Sequence, residues 1–310
     1  MMSDRQSIED AQNDSNLNQE QKRKLLLSQK ARDFAFNELK LKKTDNYGTF
    51  INLNRPYVSW VVHAAHKWEL KNYEWSYPFI GKMPYKGFFS EKEAEIEAQE
   101  MQRQGFDTLV RGVSAYSTLG YFTDSVLSTM LRYKDHDLVN TIIHEIVHTT
   151  LYIKNNADFN EQLAVFIGNK GTELFYKQLE GDQSATLKTI QNENHDDFLF
   201  SKFISDKVIK LREWYTQQNT QNDQDREDQF RQIKTNFTTE LAPKLKTQNY
   251  KKFSEQKLNN AYLGLHTTYM QNLDDFETVF QKLDKNLVHF IEVMKTLEKS
   301  KDPRQDLKNL

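Results

Sequence analysis

Residues 144–148 read His-Glu-Ile-Val-His, and Asn160-Glu161 follows twelve residues beyond the second histidine. On a helix, residues four apart stand one above the other on the same face, so the imidazoles of His144 and His148 can reach a single metal ion. The pattern therefore requires a helix here, and the flanking residues supply one. Leu138, Val139, Ile142, Ile143, Ile146, Val147 and Leu151 recur at helical spacing up to Ile153, and Asp137 is a suitable N-cap. Hydrocarbon around the histidine face predicts a largely buried helix. Two stacked buried imidazoles need a common partner, which is either backbone within a core or an ion. Glu145, between them, is placed to activate a water beside such an ion.

Glu161 carries two readings. Asp158-Phe-Asn-Glu161 has the spacing of a helix capping box, in which Asp158 caps the helix and Glu161 reaches back to its backbone. A catalytic site with two histidines, in turn, needs a third protein ligand and an open position, and a carboxylate early in the next helix meets that need. The second reading makes His144, His148 and Glu161 the ligands of one ion, with Asn160 supporting them from behind. Nitrogen and carboxylate ligands without sulfur suit Zn2+, for which Mn2+ or Co2+ can substitute.

The 310 residues, 37% of them hydrophobic, suffice for one sizeable core, or for a core with a helical lobe. A net charge of −2 gives no global basic field, which argues against nucleic acid as a partner. The absence of cysteine excludes disulfides and thiolate ligands. No apolar run reaches membrane-spanning length, and the start Met-Met-Ser-Asp-Arg-Gln carries no hydrophobic targeting segment.

Along the chain, a helix is expected from about Asn18 to Leu41. Residues 57–65 are dense in β-branched and aromatic types and read as a strand, with Trp75–Ile80 its expected partner. His63 and His66 then point to opposite faces and do not bind a metal jointly. Ser90–Gln104 reads as a capped helix closed by Gly105, followed by a strand over 107–115. Val113–Gly120 is a candidate cleft rim able to pair with substrate backbone; the alternative is a turn ordered by Gly120 and the Ser117 and Thr118 hydroxyls. Gly168 and Gly171 within Phe159–Leu179 predict close packing or a helix break. Within residues 216–257, Phe230, Ile233, Phe237 and Leu241 mark an amphipathic helix ending near Pro243. Tyr269, Leu273, Phe276, Phe280, Leu283, Leu287, Phe290, Met294 and Leu297 form a seam of alternating three- and four-residue steps. Such a seam belongs to a helical hairpin on the core or to a dimerising coiled coil, with Asp274-Asp275 a point where the segment can divide.

Several strings extend beyond the metal motif: Ala31-Arg-Asp-Phe-Ala35, Tyr77-Pro-Phe-Ile-Gly81, Pro84-Tyr-Lys-Gly-Phe-Phe89, Gly105-Phe-Asp, Arg111-Gly-Val, Ala115-Tyr-Ser-Thr-Leu-Gly120 and Asn260-Ala-Tyr-Leu263. With the His144 motif and Asn160-Glu161 they make nearly the whole chain resemble the bacterial putative aminopeptidase family, a gluzincin-like, envelope-associated group. The resemblance implies zinc peptidase activity and supplies no substrate. It also implies an upstream signal or lipid anchor, with Met1–Glu9 resembling sequence downstream of one, and so a place in the cell envelope; taken literally, the chain as it starts is cytoplasmic.

Together these readings give an α+β, predominantly α, zincin-like fold with a small N-terminal β-sheet and a helical C-terminal lobe. The division expected is 1–182, carrying the rim strand and the His144 helix, and 183–310, completing the cleft. The expected reaction is hydrolysis of a peptide or protein substrate, with Glu145 as general base. Tyr262, in Asn259-Asn-Ala-Tyr-Leu, is the first candidate to steady the oxyanion, with Tyr116 and His266 as rivals. Amino- and endopeptidase action both stay open, because an aminopeptidase must hold a free amine with acidic groups and Asp124 alone is legible near the rim. The alternative function is a catalytically idle binding or scaffolding protein of the envelope, and the chain is a monomer or a homodimer.

Overall fold

The computed structural model describes residues 5–53, 55–78, 81–114, 123–218 and 221–310. In chain order these form strands β1 (Arg5–Ser7), β2 (Thr49–Ile51), β3 (Ser59–His66), β4 (Trp75–Tyr77), β5 (Gly81–Met83), β6 (Tyr85–Phe88), β7 (Phe106–Val113) and β8 (Val126–Leu127). The α-helices are α1 (Ile8–Asn13), α2 (Gln19–Asn37), α3 (Glu91–Arg103), α4 (Asp135–Thr150), α5 (Ala157–Glu180), α6 (Ala185–Gln217), α7 (Asp223–Asn236), α8 (Asn260–Met270), α9 (Leu273–Lys282), α10 (Leu287–Lys295) and α11 (Pro303–Lys308). The fold is α+β and mostly helical, with small sheets. None of the described helices is long and apolar enough to cross a membrane.

Two compact units divide the chain. The first comprises Met1–Ser59, Gly112–Ile190 and Asp275–Leu310, and the second Trp60–Arg111 and Gln191–Asp274. The sequence reading cuts once, at residue 182, whereas each unit gathers separate stretches, because the interior of each is closed by partners distant in sequence.

In the first unit, α2 opens with a capping box between Asn18 and Gln21, as the Asn18 start predicts. Its buried residues Leu25, Leu27 and Ala31 belong to the core of this unit. The helix bearing the histidines starts earlier than expected. Lys134 occupies its cap position without a side-chain bond, and Asp135 and Asp137 both lie in the first turn, where carboxylates suit the positive helix end. Arg23 of α2 meets Asp135 with both guanidinium arms, at 2.6 and 2.7 Å.

Helix α5 runs unbroken past both glycines. A Cβ on Gly168 would sit 3.1 Å from Asn140 Oδ1, and one on Gly171 would sit 3.0 Å from Leu39 Cδ1 and 3.3 Å from two carbons of Ile143. The glycines therefore admit α4 and the Leu39 side chain to the surface of α5, which is the close-packing outcome. Further on, the phenylalanine seam folds back as a hairpin of α9 and α10, turned by Asp284 and Lys285 in left-handed conformation. Phe276, Phe280 and Phe290 converge on Phe166 of α5, with ring centroids 5.9, 5.7 and 5.1 Å away. The division of the seam falls at Gln271 and Asn272 rather than at Asp274-Asp275, since Asn272 takes a positive φ.

In the second unit, β3 is the centre of a sheet ordered β6-β3-β7. The partner expected at Trp75–Ile80 is instead β4, paired antiparallel with β5, and β3 pairs with β6 through Trp60 opposite Phe88. Phe79 and Ile80 lie outside the described residues. Helix α3, capped by Ser90, lays Ala94 and Ala98 on Val62. A core cluster of this unit includes Phe200, Ile204, Phe230, Ile233, Phe237, Phe253 and Leu263, and the stripe expected before Pro243 is part of it. A buried polar network anchors β7: Asp107 accepts from Arg226 and from the Asn260 backbone N–H at 2.8 Å, while Tyr215 OH meets both Arg226 and Asn260. His63 and His66 take separate surroundings, with rings against Tyr85 and Phe106 respectively.

Candidate metal centre

The histidine pair and Glu161 belong to consecutive helices of the first unit, joined by the short connection 151–156. Buried Leu151 and Ile153 pin that connection from below. Asn155 takes the left-handed conformation that asparagine tolerates. Asn160, 2% exposed, then clamps the connection: its Oδ1 accepts from the Ile153 N–H at 2.9 Å, and its Nδ2 donates to the Ile153 carbonyl at 2.8 Å. The Asn156 backbone N–H donates to the same carbonyl at 3.2 Å. Asn160 thus sets where the first turn of α5 starts, and Glu161 is the next residue.

The capping-box alternative does not form. Helix α5 has Asn156 at its cap position, Asp158 lies inside the first turn, and the Glu161 carboxylate is directed at the imidazoles. His144 Nε2 and His148 Nε2 are 3.1 Å apart, and Glu161 Oε2 is 3.3 Å from the first and 3.5 Å from the second. Burial pushes the Glu161 carboxyl up, but the charge of His148 and hydrogen bonds from both imidazoles outweigh it and hold the group well below the usual carboxylate range.

Protons alone satisfy this triangle poorly. Each Nε2 either carries a proton or offers a lone pair, so two neutral imidazoles donating to the carboxylate are left facing each other at 3.1 Å with nothing between. A cation at the centre uses all three lone pairs. Ligand atoms about 2.0–2.1 Å from a tetrahedral zinc ion lie about 3.3 Å from one another. The observed sides of 3.1, 3.3 and 3.5 Å bracket that value, so the residues present fit the group. The remaining ring nitrogen of His148, Nδ1, is buried with no hydrogen-bond partner among the described residues.

Glu145 lies beside the ligands on α4. Burial pushes its carboxyl up to about 7; the His144 charge works against this, and the charges of Glu161 and Asp124 reinforce it. Asp124 is buried, and its backbone is fixed by Asn46 Oδ1 at 3.0 Å and by the Tyr47 N–H at 2.6 Å. Sequence reasoning noted Asp124 only as a solitary acid, because its approach to Glu145 depends on these bonds to residues almost eighty positions earlier.

A family model described as "Putative aminopeptidase" matches residues 1–308. The chain belongs to this family. Searches among curated proteins and among solved structures return no match. Within this aminopeptidase family member, the oxyanion candidates divide. Tyr262 and His266 lie in the second unit on α8, their rings 4.9 Å apart and both near Phe253. Burial raises the Tyr262 hydroxyl above its ordinary value. Burial, aided by the charge of Arg111, takes the His266 imidazole down to about 4. Tyr116 and residues 115–120 of the expected rim lie outside the described residues, while β7 fulfils the strand expected before them.

Proposed function

We propose that this chain is a zinc-dependent metallopeptidase of zincin-like plan, holding one Zn2+ with His144, His148 and Glu161. The supporting observation is the triangle of three ligand atoms, with sides that match a tetrahedral zinc site. Bound there, zinc would supply Lewis acidity, polarising a peptide carbonyl and lowering the pKa of water. The residues of the chain perform the rest. Glu145, its carboxyl raised to about 7 by burial, takes a proton in its ionised form from the attacking water and delivers it to the leaving amine. Glu161 stays ionised and balances positive charge at the centre, and Asn160 keeps it in place. Tyr262 is proposed as the oxyanion donor on the sequence reading, and its half-buried phenol, raised above its ordinary value by burial, keeps its proton at neutral pH. Aminopeptidase action rests on the family description, and location in the cell envelope on the resemblance to envelope-associated relatives; fractionation of the source cells tests the latter.

The decisive experiment couples metal analysis to cleavage of a peptide library by the purified chain and by Glu145→Gln and Tyr262→Phe. The expectation is about one zinc per chain in all three proteins, with Glu145→Gln slowing cleavage by about 10^2–10^4-fold. Unchanged cleavage by Glu145→Gln would overturn the base assignment. Full zinc occupancy without cleavage by the wild type would favour the scaffolding alternative.

A further inference from the structure

We propose that Arg111 is the centre of a carboxylate-binding site in the second unit, formed with Tyr269 and His266. The inference is independent of the metal centre. Arg111 stands on β7, half-buried, and its guanidinium has five N–H donors. Two hydrogen bonds engage it: Nε donates to His63 Nε2 at 3.4 Å, and Nη2 donates to Tyr269 OH at 3.5 Å. Both are far longer than the usual 2.9–3.0 Å or so of an N–H donor bond. The guanidinium carbon also lies 5.8 Å from the centre of the Tyr269 ring, and the other three N–H donors make no hydrogen bond among the described residues. Among the described residues, no Asp or Glu forms an ion pair with it.

Arg226 of the same unit provides the contrast. It is bonded to Asp107 and to Tyr215, and lies over the rings of Trp68 and Phe230. A half-buried guanidinium without such a counter-charge is a fork with the tines unfilled. Its surroundings add polar atoms rather than acids. His266 and Tyr269 stand three apart on one face of α8, with Tyr262 a turn before them. His266 Nε2 is buried with no hydrogen-bond partner among the described residues, and the charge of Arg111 is felt at this imidazole. A planar fork beside a phenol and an imidazole suits a planar, two-oxygen anion that accepts two parallel N–H bonds. A lysine in this place would offer only a point charge.

Two sources could deliver that carboxylate, a chain terminus or an acidic side chain, and three probes separate them: N-acetylalanine, N-acetylalanine amide and N-acetylglutamate α-amide. Each is titrated into the full chain after treatment with a chelator, which removes the metal centre as a competing carboxylate site. The Arg111 Nε–Hε cross-peak, assigned by its loss in Arg111→Gln, reports occupancy, and calorimetry gives the affinity. At least one carboxylate probe is expected to bind saturably and to shift the cross-peak, while the amide without a carboxylate does neither. The better of the two carboxylates names the source. Arg111→Lys, which keeps the charge and loses the fork, is expected to weaken binding by at least about tenfold. Absence of saturable binding by both carboxylates, or equal binding by Arg111→Lys, overturns the proposal. Because the cross-peak is read on wild-type protein, the test stands even where a variant folds poorly.

Discussion

Replacing Asn160 with alanine removes both halves of the clamp on the α4–α5 connection and leaves every ligand residue in place. The cost follows from what each atom of Ile153 retains. Its N–H loses the Oδ1 acceptor at 2.9 Å and is left buried without that partner, a penalty of about 1–3 kcal/mol. Its carbonyl loses the bond to Nδ2 at 2.8 Å but keeps the Asn156 N–H at 3.2 Å, so the loss there is about 0.5–1.5 kcal/mol. The sum is about 3 kcal/mol of stability in the metal-free protein. Freed of the clamp, the start of α5 no longer fixes Glu161 opposite the imidazoles, and zinc affinity should fall by about 10–100-fold, as when residues supporting a ligand are removed. Urea unfolding in the presence of a chelator measures the first quantity. Competition with a chromophoric chelator, well below the unfolding temperature, measures the second. A variant that matched the wild type in zinc affinity while losing the full stability would refute the claim that the clamp positions Glu161.

Gly171→Ala places a Cβ 3.0 Å from Leu39 Cδ1 and 3.3 Å from Ile143, and overpacking of about 1–3 kcal/mol should exceed the gain of about 1 kcal/mol in helix propensity. Thermal unfolding should therefore show a net loss, and a gain would mean that α4 and α5 yield easily. Arg226→Leu leaves the half-buried Asp107 with the Asn260 N–H alone among the described partners and should cost about 3 kcal/mol by urea denaturation. His266 has a pKa of about 4 in the fold against 6.5 for an ordinary imidazole. The unfolded chain therefore binds the extra proton between these values, so stability is intact above about 6.5 and declines as pH falls toward 4, by about 3 kcal/mol. His266→Phe should flatten this segment of the stability–pH curve, and an unchanged slope would remove His266 as its cause.

The elements legible in the sequence are those whose signals are local. The Asn18 and Ser90 caps, the hydrocarbon pattern around His144 and the glycines of α5 each report on residues within a turn or two, and the helices they define are present. Distant pairings were not legible. Trp75–Ile80 reads as the partner of β3, whereas β4 pairs with β5, which begins four residues after Tyr77. Glu161 satisfied two local patterns at once, a capping box and a ligand set. What decided between them was Asn160, which spends its side chain on Ile153 and so begins the helix at Ala157, ahead of Asp158. The position of Asp124 near Glu145 and the unfilled fork of Arg111 depend on residues brought together from separate stretches, and no spacing along the chain announces them.

Arg304 links the far end of the chain to the ligand helix. Its guanidinium bonds to Gln162, the neighbour of Glu161, approaches Asp275 at 3.4 Å, and lies 5.2 Å from the ring centres of both Phe159 and Phe276. During synthesis, His144, His148 and Glu161 leave the ribosome more than a hundred residues before this brace exists. The ligand helix therefore lacks its outer support until residue 304 has emerged, and a metal held at the proposed site is bound less firmly before that moment than after it.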